Sequence, residues 1–363
     1  MKRAFVTCTA GLLLTGVVAA CSSGGSGTVT DALTGTPYHL TVYAQTVVDD
    51  APFYIALKDG FFKDEGLDVS YVPLAKTTLG LPALASGKYP IVVGGNYPTM
   101  LQADEGLPAQ GVPGTPAVPA KPGVAAVPAV PPIPPQVIAA LKGQIHVLVE
   151  GYSGAPNVMA VVVLPKSRIN GPAALGGKKI AVNLISGIQT LTLNAVLAAD
   201  GVNTNTIHYV AVPFPKMVGA LQAHQVDAAD MLEPFLTAAE VQVGALEVAD
   251  QLSGPTAQFP ISGVFTTSAF LKAHLQVALA FQAAMLRAQA LADNNRIAVE
   301  RALVSYIPPT PKSPSVSSIA PLVSLGVYPA TMDAVPLQRV ANLMLREGLL
   351  SSPLTVSKIL VTP

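Results

Sequence analysis

The 363-residue chain sets 21 Lys+Arg against 21 Asp+Glu for a net charge of zero, with 12% charged and 50% apolar residues. No acidic or basic block occurs, so nothing in the charge points to nucleic acid, which would demand clustered positive charge. The composition leaves enough apolar mass for large buried cores in two domains of ordinary size.

In chain order, the first element is an export signal. Lys2 and Arg3 form a basic start, Ala4 to Ala20 carry no charge, and Val18-Ala19-Ala20 put small residues ahead of Cys21. The run is shorter than the roughly 20 apolar residues a membrane-spanning helix needs, so residues 1–20 are expected to be a signal peptide. "VAAC" resembles a lipobox, in which the cysteine is acylated and becomes the first mature residue. The alternative is an ordinary secretory signal with Cys21 incidental. Residues 21–36, opening on "SSGGSG", are expected to form a flexible tether. Cleavage takes Lys+Arg from 21 to 19, a mature net charge of −2, and removes Cys8, which excludes an internal disulfide.

Short runs rich in Val, Ile, Leu and Tyr follow as predicted strands: Tyr38 to Thr46, Leu67 to Leu74, Pro90 to Gly94, Ile145 to Gly151, Val158 to Leu164, Lys178 to Asn183, Ile207 to Pro213 and Asp227 to Leu232. Predicted helices lie between most of them: Pro52 to Asp64, Thr78 to Ser86, Pro98 to Glu105, Gly187 to Asp200 and Lys216 to His224. Strand and helix in turn predict α/β layers with a largely parallel sheet. After about Phe270 the pattern changes to long helices, Phe270 to Asn294, Arg296 to Tyr306 and Thr331 to Leu350. Gly106 to Pro135 interrupts the alternation with ten prolines and one charge. Proline fixes φ and removes the amide donor, so this stretch is expected to be an exposed insertion within a domain, a solvated spacer of polyproline II character or a partner-docking segment.

Motifs for chemistry are mostly missing. The five histidines, His39, His146, His208, His224 and His274, stand singly, without zinc-ligand spacing. Gly171 to Lys179 resembles a phosphate loop only loosely, since Lys179 stands where Ser or Thr would bind magnesium. No G-x-S-x-G elbow or S-x-x-K pair occurs. No catalytic residue, cofactor or metal is expected, and the chain does not read as an enzyme.

What recurs is a polar group at the turn from strand into helix, where free backbone N–H groups can hold an anion or polar ligand. "VVDDAPF", "GGNYPT", "NLISGIQT" and "LEPF" are four such turns. In open α/β sheets ligands bind at the carboxyl ends of strands, where all four are expected. Each taken alone is more often just a helix cap, and it is the conjunction of the four that shifts the balance.

The stretch "APFYIALKDGFFKDEGLDVSYVPL" resembles the start of the solute-binding proteins of ABC importers for nitrate, sulfonates, taurine and thiamine-pyrimidine precursors. "INGPAALGGKKIAVN", "GIQTLTLNAVLAADGV", "VPFPKMVGALQAHQVDAADMLEPF" and "LQRVANLMLREGLLSSPL" are similar to that family in the same order. The resemblance implies a type II periplasmic-binding-protein fold of class α/β, two lobes joined by two hinge strands that close on ligand. Lobe one would be 37–154 plus 262–363, and lobe two 155–261, with "GYSGAPNVMAVVV" and "AQFPISGVFTT" as the crossings. The implied partners are a small solute, an ABC permease with its ATPase, and the membrane through a lipid anchor, for a monomer outside the cytoplasm. Micromolar affinity, about −8 kcal/mol, would suit such capture.

Carried onto this sequence, the ligand-binding residues expected are Asp50, Tyr54, Asn96 and Tyr97 from lobe one, and Ser186, Gly187, Gln189, Glu233 and Phe235 from lobe two. Asn, Ser and Gln would orient polar groups, while Tyr54, Tyr97 and Phe235 offer flat walls or pack in the core. A carboxylate of Glu233 in the cleft would favour an amine or protonated heterocycle over an anion. The four turns hold no arginine, and only Lys76 and Lys216 lie near them. The expected solute is therefore sulfonate-like or pyrimidine-like, an aromatic sulfonate or a pyrimidine precursor rather than nitrate. A pyrimidine-precursor synthase of the same fold family uses cysteine and histidine around iron, which one acylated cysteine does not supply. The other alternative is a lipoprotein scaffold that docks a partner through the Pro-rich insertion.

Overall fold

The protein is described by a computed structural model covering residues 36–112, 114, 131–309 and 312–362. The signal peptide, the Cys21 lipidation site, nearly all of the tether and the middle of the Pro-rich insertion lie outside the described residues.

Ten strands build two five-stranded sheets. The first holds β1 (Tyr38–Ala44), β2 (Leu67–Pro73), β3 (Val92–Asn96), β4 (Ile145–Ser153) and β10 (Pro260–Thr267) in the order β2-β1-β3-β10-β4. The second holds β5 (Met159–Val163), β6 (Lys179–Val182), β7 (His208–Ala211), β8 (Ala228–Leu232) and β9 (Leu246–Asp250) in the order β7-β6-β8-β5-β9. The chain crosses between the sheets twice, from β4 to β5 and from β9 to β10. The sheets are mixed rather than largely parallel. β10 runs antiparallel to β3 and β4, and β5 antiparallel to β8 and β9. Both antiparallel strands are the first strand of a sheet entered after a crossing, so they meet strands pointing the other way.

Strands in the middle of each sheet are largely buried on both faces, as helix-covered sheets require, while the edge strands β2, β7 and β9 keep exposed residues. β5 (MAVVV) and β8 (AADML) have no exposed residue, and β10 is buried along its whole length. The helix expected over Pro52 to Asp64 is two helices, Ala51–Lys58 and Phe61–Asp64. Gly60 breaks it with φ 82°, a left-handed conformation that glycine adopts at little cost.

The helix Ser268–Asn294 is long and apolar enough to cross a membrane by length and composition, yet here it is a core helix of the first lobe, bent at His274. Its Gln282 and Gln289 stand two turns apart on one face and donate to the carbonyls of Leu148, Glu150 and Gly151 on β4 at 2.6–2.8 Å. β4 is an edge strand, so this helix satisfies carbonyls that would otherwise lie buried and unpaired.

Candidate functional site

Between the sheets, the loops at the strand ends enclose a cavity of about 40 Å³. One wall comes from the loop after β1, which contributes Gln45, Val47 and Asp49, and from Lys76, Thr77 and Asn96 beside it. The facing wall comes from Asn183 and Gln189 at the turn after β6, with Phe214 and Leu232 as its apolar part. Ser262 on the crossing strand β10 closes the floor.

The polar wall is a connected network. Three donors share the two lone pairs of Thr77 Oγ1, Asn96 Nδ2 at 2.9 Å and Gln45 Nε2 and the Asn96 amide each at 3.2 Å, which leaves the threonine's own proton to donate. Gln45 also donates to the Gly94 carbonyl. Asn96 caps the helix Tyr97–Glu105, its Oδ1 accepting from the Thr99 amide at 3.0 Å. Ser262 donates to Asp49 Oδ2 at 2.7 Å, while Asp49 Oδ1 is buried without a partner among the described residues. Burial pushes the Asp49 carboxyl up to about 6, against the opposing pull of the Ser262 hydroxyl. Lys76 is 7% exposed, and burial holds its pKa below the usual lysine value. The ion pairs among the described residues are His39–Asp68, Arg287–Asp64 and Arg296–Glu300, so no carboxylate pairs with Lys76.

The loop carrying Gln45 and Asp49 is held from behind by three phenols. Tyr54 donates to the Gln45 carbonyl (2.8 Å), Tyr306 to that of Val47 (2.7 Å) and Tyr328 to that of Val48 (2.9 Å). Tyr54 and Tyr306 stack face to face, with centroids 3.6 Å apart and planes at 8°.

Of the nine residues expected to bind ligand, Asn96 and Gln189 line this cavity. Gln189 spends its amide within its own lobe, accepting from the Asn183 amide at 2.7 Å and donating to the carbonyl and carboxylate of Asp230. Asp50 lies one residue too far along. Its buried carboxylate turns under Gly94 rather than into the cavity, with its pKa raised well above the ordinary range by burial and by Asp49. Tyr54 is a core ring, as its stacking shows. Tyr97 is 1% exposed and packs edge-on to Phe265. Phe235 stacks on Phe214 at 5.4 Å and 8°, and Phe214 is the ring that lines the cavity. Gly187 is the N-cap residue of the helix Ile188–Ala199, and Ser186 accepts from Gln102 Nε2 of the opposite lobe at 3.0 Å.

Glu233 does not face the cavity. It is 1% exposed, and its carboxylate accepts from Thr237 Oγ1 (2.7 Å), the Thr237 amide (3.1 Å) and the Ser324 amide (3.0 Å). Its carbonyl accepts from the Val48 amide at 3.3 Å. Burial lifts the carboxyl to about 7 in spite of these donors. Glu233 thus ties β8 of one lobe to two loops of the other, and its charge is spent on that tie.

Gln45, Asp49, Thr77 and Phe214 were not singled out from sequence. Asp49 and Asp50 are adjacent, and only the backbone turn into Ala51 decides which one faces the cavity. Ser262 sits on a crossing strand, where no strand-to-helix turn advertises it.

Two α/β lobes crossed twice by the chain, with loops of both facing one cavity, define a type II periplasmic-binding-protein fold. The chain belongs to the NMT1-like family, whose model matches residues 36–305. No curated protein matches the sequence. Among solved structures, the alkanesulfonate-binding protein SsuA of Xanthomonas axonopodis pv. citri bound to MOPS is similar, with a TM-score of 0.64 at 17% identity, over 90% of this chain and 99% of that one. The periplasmic nitrate-binding protein NrtA of Synechocystis PCC 6803 gives a TM-score of 0.65 at 14% identity, over 89% and 86%. The ligand-binding component of an ABC-type import system from Staphylococcus aureus, with zinc bound, gives 0.68 at 11%, over 90% and 97%. Identities this low speak to the fold.

Proposed function

We propose that the chain is an extracytoplasmic solute-binding lipoprotein, anchored through an acylated Cys21, that captures a small organic solute between its lobes and hands it to the permease of an ABC importer. The two lobes, 37–154 plus 262–363 and 155–261, close on the solute because it binds both walls, and only such differential affinity can shift the open–closed equilibrium. The observation that carries this reading is Lys76, a buried lysine without a carboxylate partner among the described residues, on a cavity whose other lobe-one groups include the Thr77 hydroxyl, the Asn96 amide and the Asp49 carboxyl. A buried cation is costly unless paired, and an anionic group on the solute supplies that pair. Glu233 is engaged elsewhere, and among the described residues the one carboxyl that lines the cavity, Asp49, already accepts from Ser262 and is pushed up to about 6 by burial, so its opposition to an anion weakens as pH falls. The reading therefore favours a sulfonate-like head over a pyrimidine, with Phe214 as an apolar wall. The comparisons with a sulfonate-binding and a nitrate-binding protein support the same direction.

The test is a thermal-shift panel of sulfonates, nitrate, pyrimidines and purines on the soluble form beginning at Ser22. Ligand binding to the folded state raises the midpoint by mass action. An upward shift with sulfonates is expected, and a shift with pyrimidines alone would refute the head-group assignment.

A further inference from the structure

The second lobe carries another cavity at the end of its sheet away from the cleft. Asn183 after β6 and Leu232 after β8 face the cleft, so the opposite ends of these parallel strands lie one strand length away, about 15 Å. There a cavity of about 710 Å³ opens between the loop that follows β5 and the C-terminal ends of the helices Phe214–Gln222 and Phe235–Val243. Ile169, Leu221 and Val226 are buried and form its apolar floor. Lys166, Arg168 and Lys178 stand around it. The loop holds its own shape: the Ser167 amide donates to the Leu164 carbonyl at 2.9 Å, and the Ser167 hydroxyl accepts from the Ile169 amide at 3.1 Å. Lys178 is fixed through its backbone, donating to the Leu175 carbonyl at 3.2 Å and accepting from the His208 amide at 2.9 Å.

These three cations meet one carboxylate among the lining residues, Asp227, which leaves a formal surplus of two positive charges. Asp227 already accepts from the Lys179 amide at 2.8 Å. None of the three is in an ion pair among the described residues, whereas Arg287 and Arg296 hold carboxylates and Arg339 donates to the Ala257 carbonyl. Cations near a helix C-terminus offset its partial negative charge, but neither helix ending here has a basic residue in its last turn. The cations come instead from the loop after β5 and from the residue before β6.

We propose that this cavity is a second binding site, separate from the cleft, for a phosphate monoester with an apolar body. Such an ester carries a charge of about −1.5 to −2 at neutral pH, which matches the surplus. Arginine's planar fork pairs with two phosphate oxygens, and lysine binds phosphate as a point charge. The floor of Ile169, Leu221 and Val226 gives the organic part an apolar surface, and the volume lies within the range of small-molecule sites, about 300–1,000 Å³. A free phosphorylated compound and the headgroup of phosphatidate in a membrane present this same chemistry.

The test uses the soluble protein beginning at Ser22. Calorimetric titration with 1-naphthyl phosphate probes the free ester, and flotation with phosphatidylcholine vesicles, with and without phosphatidate, probes the lipid. Binding to one of the two is expected, and which one binds identifies the source. The double variant Lys166→Gln/Arg168→Gln changes two exposed side chains, and far-ultraviolet circular dichroism verifies that it is folded. It is expected to weaken the probe that binds by about tenfold or more, as loss of charge-assisted hydrogen bonds does. Lys76→Met, in the distant cleft, is expected to leave that affinity within about twofold. Failure of both probes, undiminished binding by the double variant, or loss of binding in Lys76→Met instead would overturn the second site.

Discussion

Lys76 and Asp49 face one cavity with opposite charges and no ion pair between them. An anionic solute gains from the first and is opposed by the second. Lys76→Met is therefore expected to weaken sulfonate binding by about tenfold or more, the range of a lost charge-assisted hydrogen bond, while the melting temperature of the unliganded protein holds or rises because an unpaired buried cation is gone. Calorimetry and thermal unfolding of the same sample check both halves. Asp49, with its carboxyl raised to about 6, ionises across the neutral range. Its protonation below about pH 6 removes the opposing charge, so sulfonate affinity is expected to rise from pH 8 to pH 5, and Asp49→Asn to flatten that profile. Gly94 is legible only in three dimensions: φ is 72°, and a Cβ there would overlap the Asp50 carboxylate. Gly94→Ala is expected to cost about 2 kcal/mol or more, read from urea unfolding.

At the scale of elements, the loop after β1 owes its shape to distant parts of the chain. Tyr54 comes from the next helix, Tyr306 from the end of the helix Arg296–Tyr306, and Tyr328 from the segment beyond it. Each phenol satisfies one buried carbonyl, a net contribution of about 1 kcal/mol. The double variant Tyr306→Phe/Tyr328→Phe is expected to lose roughly 2 kcal/mol of stability and to bind solute more weakly, because Gln45 and Asp49 are no longer held; retained affinity would show that the loop is rigid without them. The Tyr306 and Tyr328 bonds were not legible in the sequence, since hydrogen bonds across 259 and 280 residues leave no local pattern. β1 to β8 were legible as short runs rich in apolar residues, unbroken in β5 and interrupted by polar residues in β1 and β2. The exception is β9 (LEVAD), whose first two residues are exposed on a sheet edge and which therefore carries no apolar run. β10 was read as a hinge crossing and proves also to be the strand between β3 and β4. The four turns that line the cavity were located, but which side chain faces inward was not: Asp49 displaces Asp50, and Phe214 stands in front of Phe235.

At the scale of the molecule, buried carboxyls make stability depend on pH in an uncommon direction. Asp49 is raised to about 6, and Asp230 and Glu233 to about 7, all chiefly by burial and none in an ion pair among the described residues. A group with its folded pKa above its unfolded one binds its proton more tightly when folded. Its contribution is present at low pH and is lost as pH rises from about 4 through the folded values near 6 to 7. The unliganded protein is thus expected to melt several degrees higher at pH 5 than at pH 8, by the usual few degrees per kcal/mol. A single Glu233→Gln change should reduce that slope.

The same Glu233 tie, the Gln102–Ser186 bond and the two crossing strands frame the motion that matters most. If solute is gripped by both lobes, small-angle X-ray scattering of the soluble protein must show a smaller radius of gyration with a saturating sulfonate than without it. Identical scattering in the two states, with calorimetry confirming that the sulfonate is bound, would contradict capture by closure.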